Sequence, residues 1–489
     1  MLISQKRLAV VLILSLLWSS GYLKAQTTAD TIDEYMQYCY ENDLFNGSVL
    51  VAESGSVIYK QGFGLADMEW EIRNTPATRF RLGSITKQFT SMLIMQLVEH
   101  GELDVRDPLT MHLPWYREDT GSQVTIHQLL THTSGIPSYT SLPNFTEDIS
   151  RNPYEVKEFI QKYCSGDLEF EPGSQFRYNN SGYFILGAVI EEITGQTYEQ
   201  VLREKIFGPV GMKHSGYDHH ATILPRRAEG YEWNLGEHKN ATFLNMSLPY
   251  AAGALYSTVE DLYLWDRALY GNRLLGEQYQ DMLFSPHIQR ANNYYGYAWF
   301  IDHIPLADSQ DSVKVIEHGG SINGFNTLLS RVVTDEHLIV LLNNTSGTTL
   351  GNFRDQIVNI LYDKPYQLPK IPVHLMIGDV LAEHGVDAAI ERYNEVKDST
   401  SGKYLFNEYF LNTLGYQLMN ANRLEDAIKI LQLNAEEYPN SANVYDSLGE
   451  AYMKYGEKDK AVEYYARSLQ INPQNANAVR MLQRIQEMR

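Results

Sequence analysis

Cysteine is nearly absent: only Cys39 and Cys164 occur, so one disulfide is the most the chain can form. That bridge and a pair of buried free thiols are both open. Basic residues are also short, 40 against 60 acidic ones for a formal charge of −20. A chain this acidic repels phosphate backbones, which excludes nucleic acid as a partner. Past the N-terminus no long apolar run follows, so nothing in the body of the sequence supplies a membrane span. No His-x-x-x-His pair places two ligands on one helix face. His214, Asp218, His219 and His220 cluster without that spacing and read as a polar loop, so neither a metal nor a cofactor is expected. A Gly-x-Ser-x-Gly nucleophile elbow is missing too, because Gly320-Ser321-Ile322-Asn323-Gly324 carries one residue too many.

A hydrophobic share of 44% with mixed charge is that of a folded protein, and 489 residues exceed a single core. Tyrosines number 34 against 17 phenylalanines, which puts many amphipathic rings near clefts and surfaces. The N-terminus reads as a secretory signal: Lys6-Arg7, an apolar stretch from Leu8 to Trp18, small residues, then a cleavage point after Ala25. Leu23, where a small residue is usual, leaves an uncleaved anchor open, and no cysteine stands at the junction to take a lipid. The mature protein is expected to be secreted or periplasmic, touching a membrane only if that segment stays on.

The densest chemistry lies in Arg81-Leu82-Gly83-Ser84-Ile85-Thr86-Lys87. Residues three apart share a helix face, so Ser84 and Lys87 can meet in a first turn. A serine hydroxyl needs a base within reach, and a lysine serves as one only when burial destabilises its charge. The run Met92-Leu93-Ile94-Met95, then Leu97-Val98, is apolar nearly all round and predicts a buried helix that would dry out Lys87. Farther on, Thr125 predicts the N-cap of a short helix that Gly135 and Pro137 end. Tyr178 and Asn180 fall on a loop just before a helix whose apolar residues include Leu186, Val189, Ile190 and Ile193, and a turn there can bring both to one cleft. Gly47–Ala52 and Val57–Lys60 predict an edge hairpin, and Lys314–Ile316 predicts a strand running into His318-Gly319-Gly320, with another strand pair after it.

Ser84-Ile85-Thr86-Lys87, Tyr178-Asn179-Asn180 and His318-Gly319-Gly320, in this order, resemble the three motifs of the serine β-lactamase and penicillin-binding protein superfamily, in its class C-like branch. Connecting stretches such as Leu129-Leu130-Thr131-His132-Thr133-Ser134-Gly135 extend the resemblance over roughly residues 44–360. It implies an α/β (α+β) fold, an antiparallel sheet flanked by helices, with a helical subdomain forming one wall of the cleft. It also implies Ser84 as nucleophile, Lys87 and Tyr178 sharing its proton, and Asn180, His318, Gly320 and Ser321 binding substrate. The backbone N–H groups of Ser84 and Ser321 would form the oxyanion hole. One departure stands out: the family usually has Lys-Thr-Gly, whose cation and hydroxyl help hold a substrate carboxylate, where this chain has His318-Gly319-Gly320.

Pro365, Pro369 and Pro372 mark a linker, and beyond it runs an internal repeat. Leu414, Gly415, Leu418, Ala427, Leu431 and Pro439 recur one tetratricopeptide period later as Leu448, Gly449, Tyr452, Ala461, Tyr465 and Pro473. An earlier, degenerate unit keeps Ile377, Val380, Ala389 and Tyr393 but sits four residues farther upstream. Two full repeats fall short of the usual three, so this unit or the catalytic domain must cover one end. The expected organisation is a signal peptide over 1–25, a hydrolase domain over 26–363, a linker over 364–373 and an all-α tetratricopeptide solenoid over 374–489. The function expected is that of a secreted serine hydrolase acting through a Ser84 acyl-enzyme on an ester or amide, whether D-amino-acid peptide, ester or β-lactam. The alternative is a non-catalytic module that binds cell-wall peptides or a protein partner in the cleft and on the repeats.

Overall fold

Strands β1 (Gly47–Glu53) and β8 (His337–Asn343) are buried along almost their whole length. Unbroken apolar runs of this kind belong to strands covered on both faces. One face of the pair, with Leu50, Ala52, Leu338 and Val340, packs into the main core beside Val259, Leu262 and Trp265. The computed structural model describes residues 28–399 and 402–488. The signal sequence expected over 1–25 lies outside the described residues. Strands β2 (Ser56–Phe63), β3 (Ile288–Gln289), β4 (Tyr294–Tyr295), β5 (Phe300–Pro305), β6 (Ser312–Ile322) and β7 (Phe325–Val332) complete one antiparallel sheet of order β3-β4-β5-β6-β7-β8-β1-β2. The hairpin β1–β2 forms its edge, as its turn predicts. β6 does not stop at the glycines: it runs through His318, Gly319 and Gly320, paired with Leu329, Leu328 and Thr327 of β7.

Helix α1 (Thr86–Glu99) is buried from Thr86 to Leu97. Two of its buried polar side chains are held by hydrogen bonds inside the core: Trp265 Nε1 donates to Gln88 Oε1 at 3.0 Å, and Thr90 Oγ1 donates to the Ala251 carbonyl at 2.7 Å. Helix α2 (Ile126–Leu130) starts at Thr125 through a reciprocal capping box with Gln128. It ends well before Gly135, because His132 adopts a φ of +59° that no helix continues. Helix α3 (Asn180–Thr194) is capped by Asn179, whose side chain accepts from Gly182 N at 3.0 Å, and stops at Gly195 in the left-handed conformation. Cys39 and Cys164 are both buried and unpaired.

The chain divides into two compact units, one of residues up to 232 and 240–368, the other of 233–239 and 369–489. The short segment 233–239, expected in the hydrolase domain, therefore belongs to the second unit. Its Trp233 ring fills the space beside Gly378, stacks edge-on against His374 and leaves its carbonyl to Gln417 Nε2 at 3.1 Å. The second unit consists otherwise of helical hairpins: α4 (Val373–His384) with α5 (Val386–Lys397), α6 (Glu408–Asn420) with α7 (Leu424–Glu437), α8 (Ala442–Tyr455) with α9 (Lys458–Ile471), and a last helix α10 (Ala476–Glu487). Gly415 faces Leu431 so closely that a methyl group would collide with its branch, and Gly449 faces the Tyr465 ring closely enough that a methyl group would fit only if the ring shifted. This contact explains why both glycines recur with the period. The degenerate first unit is a true hairpin whose offset comes from the longer connection over 398–407, where Tyr404–Leu405 pairs with Ile371–Pro372.

Candidate active site

Gly83 takes a φ of +53°, and Ser84 follows it in a single tight turn, Gly83–Ile85, that leads into α1. A side chain at 83 would be strained there and would also press on Ser321. Lys87, one turn on, is fully buried, and its Nζ lies within hydrogen-bond distance of three oxygens: Ser84 Oγ at 3.0 Å, Asn180 Oδ1 at 2.8 Å and the Ala252 carbonyl at 2.8 Å. All three are neutral, so no carboxylate repays the loss of water. Burial holds the lysine well below its usual pKa. A neutral amine has two N–H groups and one lone pair. The carbonyls of Asn180 and Ala252 can take only N–H, which leaves the lone pair for the Ser84 hydroxyl.

The loop before α3 does bring Tyr178 and Asn180 to one place. The Tyr178 ring lies 5.0 Å from Lys87 Nζ, while Asn180 also donates through Nδ2 to Thr140 Oγ1 at 3.3 Å. The Tyr178 hydroxyl is buried without a hydrogen bond of normal geometry, and burial raises its pKa, an effect that the nearby Ser84 partly offsets. Ser84, Asn180 and Ser321 line a cavity of about 140 Å³, with Tyr139 and Leu248 on its apolar side. A larger cavity of about 380 Å³ shares Leu244 and Asn323 with it and has Arg81 and Arg227 on its wall.

Gly320 and His318 are not part of that lining. A Cβ at Gly320 would sit 1.9 Å from the Leu82 carbonyl oxygen, so the glycine lets β6 close on the turn that carries Ser84. Thr327 Oγ1 donates to the same carbonyl at 2.7 Å. His318 is 2% exposed, and burial pushes its pKa down to about 3. It therefore carries no charge in the neutral range. Glu317 points away and pairs with Arg354.

Two further residues complete the site. His132 Nδ1 accepts from Asn179 N–H at 3.1 Å, which puts its proton on Nε2, facing the Tyr295 hydroxyl at 3.1 Å. Tyr295 in turn reaches His318 Nε2 at 3.3 Å, and His318 Nδ1–H donates to the Gly319 carbonyl at 2.6 Å. These bonds run in one direction with both imidazoles neutral, as the burial of His132 also favours. The rings of His132 and Tyr178 are 4.3 Å apart, so this chain forms the bed on which Tyr178 rests. Tyr295 carries no motif and acts across distant segments; only the abundance of tyrosine hinted at such a role. The four polar residues of the loop around Asp218 go to separate partners: Asp218 to Arg81 and Arg227, His214 to Arg79, His219 to Glu199, and His220 to the Leu244 carbonyl.

Residues 28–361 match the family model described as Beta-lactamase, and residues 442–475 match that of the tetratricopeptide repeat. A putative penicillin-binding protein PbpX of Bacillus subtilis is 27% identical over 318 residues, covering 65% of this chain and 75% of that protein. The teichoic acid D-alanine hydrolase of Staphylococcus aureus strain MRSA252 is 32% identical over 260 residues, covering 53% of this chain and 59% of that one. Among solved structures, a penicillin-binding protein from Bacillus halodurans superposes with a TM-score of 0.58 at 27% identity, over 67% of this chain and 97% of its own. With its antiparallel sheet, flanking helices and C-terminal repeat, the chain belongs to the beta-lactamase family of serine hydrolases.

Proposed function

We propose that the protein is a secreted hydrolase that cleaves an ester or amide of a D-amino acid through an acyl-enzyme on Ser84. The observation that carries this reading is the dehydrated Lys87 amine, held by two carbonyls so that its lone pair meets the serine hydroxyl. Lys87 takes the proton as Ser84 Oγ attacks the substrate carbonyl. The N–H groups of Ser84 and Ser321 hold the oxyanion, the interaction that usually lowers such barriers most. Tyr178, its hydroxyl free of other partners, passes a proton to the leaving group. Water then enters and the same groups run in reverse. A cleft that merely held a peptide would have no use for a lysine dried out beside a serine.

Supporting a D-amino-acid substrate, the relatives include a teichoic acid D-alanine hydrolase and a penicillin-binding protein. The basic, then apolar N-terminal stretch supports export. The repeats offer a surface for a peptide or protein partner. The test is intact-protein mass spectrometry of wild type beside Ser84→Ala, after exposure to a fluorophosphonate, an activated D-alanyl ester and a penicillin. An adduct in wild type alone establishes the acyl-enzyme, and the reagent that labels narrows the substrate. Equal labelling of Ser84→Ala would move the chemistry to another nucleophile.

A further inference from the structure

Helices α1 and α3 both begin at the Ser84 site, α1 behind the turn that carries Ser84 and α3 at Asn180, and both end beside a cavity that the acyl-enzyme chemistry does not use. This cavity, of about 240 Å³, has apolar walls of Leu93 and Leu97 from α1, Ile190 and Ile193 from α3, and Val201. A second space of about 320 Å³ shares Gln96, His100 and Lys205 with it. Val201 and Lys205 come from one segment, where the helix Tyr198–Leu202 widens into a π-helical turn over Arg203–Phe207. Such turns are rare, and many of them mark functional sites.

Two polar groups on the shared wall are left over. Gln96 is 9% exposed, and its Nε2 donates to the Leu274 carbonyl at 2.9 Å, on the side of the second space. Its Oε1 is buried with no hydrogen-bond partner among the described residues. A buried acceptor without a donor costs folding free energy, a penalty that an N–H or O–H group of a ligand removes. Lys205 stands exposed at the rim, and among the described residues its amine has neither an ion pair nor a hydrogen bond. The other charges around it are engaged: Glu99 accepts from Gly276 N–H at 2.9 Å, Glu102 lies 3.8 Å from His100, and Arg273 donates to the Pro209 carbonyl. A ligand that fits presents a donor to the buried amide, an apolar body to the leucines and isoleucines, and an anion to the lysine at the rim, in that order from inside to outside.

We infer that the cavity between the C-terminal ends of α1 and α3 is a second ligand site, one for a small apolar carboxylate that carries an N–H or O–H donor at its opposite end. The test titrates the full-length protein, followed by ligand-detected NMR, with three probes. These are para-hydroxyphenylpropanoate, phenylpropanoate, which lacks the donor, and para-hydroxyphenylpropanol, which lacks the charge. The hydroxy acid should saturate a single site with a Kd of about 1 mM or tighter, as its size predicts. Loss of the phenol should weaken binding about 5-fold, and loss of the carboxylate about 3-fold. In Gln96→Met the hydroxy acid should bind no better than phenylpropanoate, and in Lys205→Met no better than the alcohol. Lys205→Met, a change on the surface, keeps the test decisive if Gln96→Met does not fold. Capping Ser84 with a fluorophosphonate should leave the affinity for the hydroxy acid unchanged. No saturation below about 10 mM, one Kd for all three probes, undiminished affinity in Lys205→Met, or binding lost when Ser84 is capped would each overturn the site.

Discussion

Lys87 shows how a single side chain is made reactive by what surrounds it. An ammonium group placed among neutral oxygens and the rings of Tyr178 and Tyr183 gives up its charge rather than remain unpaired. The consequence for stability has a definite sign. In the unfolded chain the lysine is protonated below its ordinary value of 10.5, while the folded protein binds no proton there until well below it. The unfolded state therefore holds one more proton across that window, and wild type loses stability as pH falls from 10.5 toward the depressed folded value. Lys87→Met has no such proton. As pH rises from the depressed folded value toward 10.5, the difference in unfolding free energy between wild type and Lys87→Met should shift in favour of wild type, by up to about 1.4 kcal/mol per pH unit. Denaturant melts of both proteins at several pH values read this directly, and parallel curves would mean that the lysine stays charged. Ser84 and Lys87 were legible in the sequence because both lie within one turn and need no partner to be noticed. The Ala252 carbonyl was not, since a backbone oxygen has no sequence signature, and Tyr295 was hidden because its two histidine partners are brought to it by separate segments.

At the scale of elements, the site is where a helix start and a sheet strand are pressed together. β6 reaches the Ser84 turn only because position 320 lacks a side chain. Gly320→Ala would force the strand off the Leu82 carbonyl, at a cost of about 1–3 kcal/mol for overpacking. Its larger effect should fall on acylation, because moving β6 carries the Ser321 amide away from Ser84. Fluorophosphonate labelling rates and a thermal melt of the same sample separate the two, and labelling as fast as wild type would show that the strand tolerates the methyl group. The sequence pattern placed the strand correctly but ended it at the glycines, which by propensity break strands. Here the glycines stay in the ladder, since the close approach they permit outweighs their poor propensity. The repeat period was easier to see, because each glycine answers to one bulky residue of its own hairpin, Leu431 or Tyr465.

On the scale of the whole molecule, two hydrophobic cores divide the work. The larger joins the sheet to α1 and α3, and the smaller joins the helical hairpins of the second unit. The composition spoke for both, since length alone exceeded one core, but it could not show that 233–239 would side with the repeats. Trp233 is the reason, a large ring whose matching space lies at Gly378, distant in sequence. Both cysteines are likewise sealed in: Cys39 and Cys164 are 0% exposed, and burial pushes each thiol up to about 12. A thiolate is the reactive form, so the native protein should take up no maleimide at neutral pH and should take up two equivalents once denatured. The molecule is thus already a blank slate for site-directed labelling: Tyr409→Cys, at a position 67% exposed, would place one addressable probe on the repeats with no background to remove.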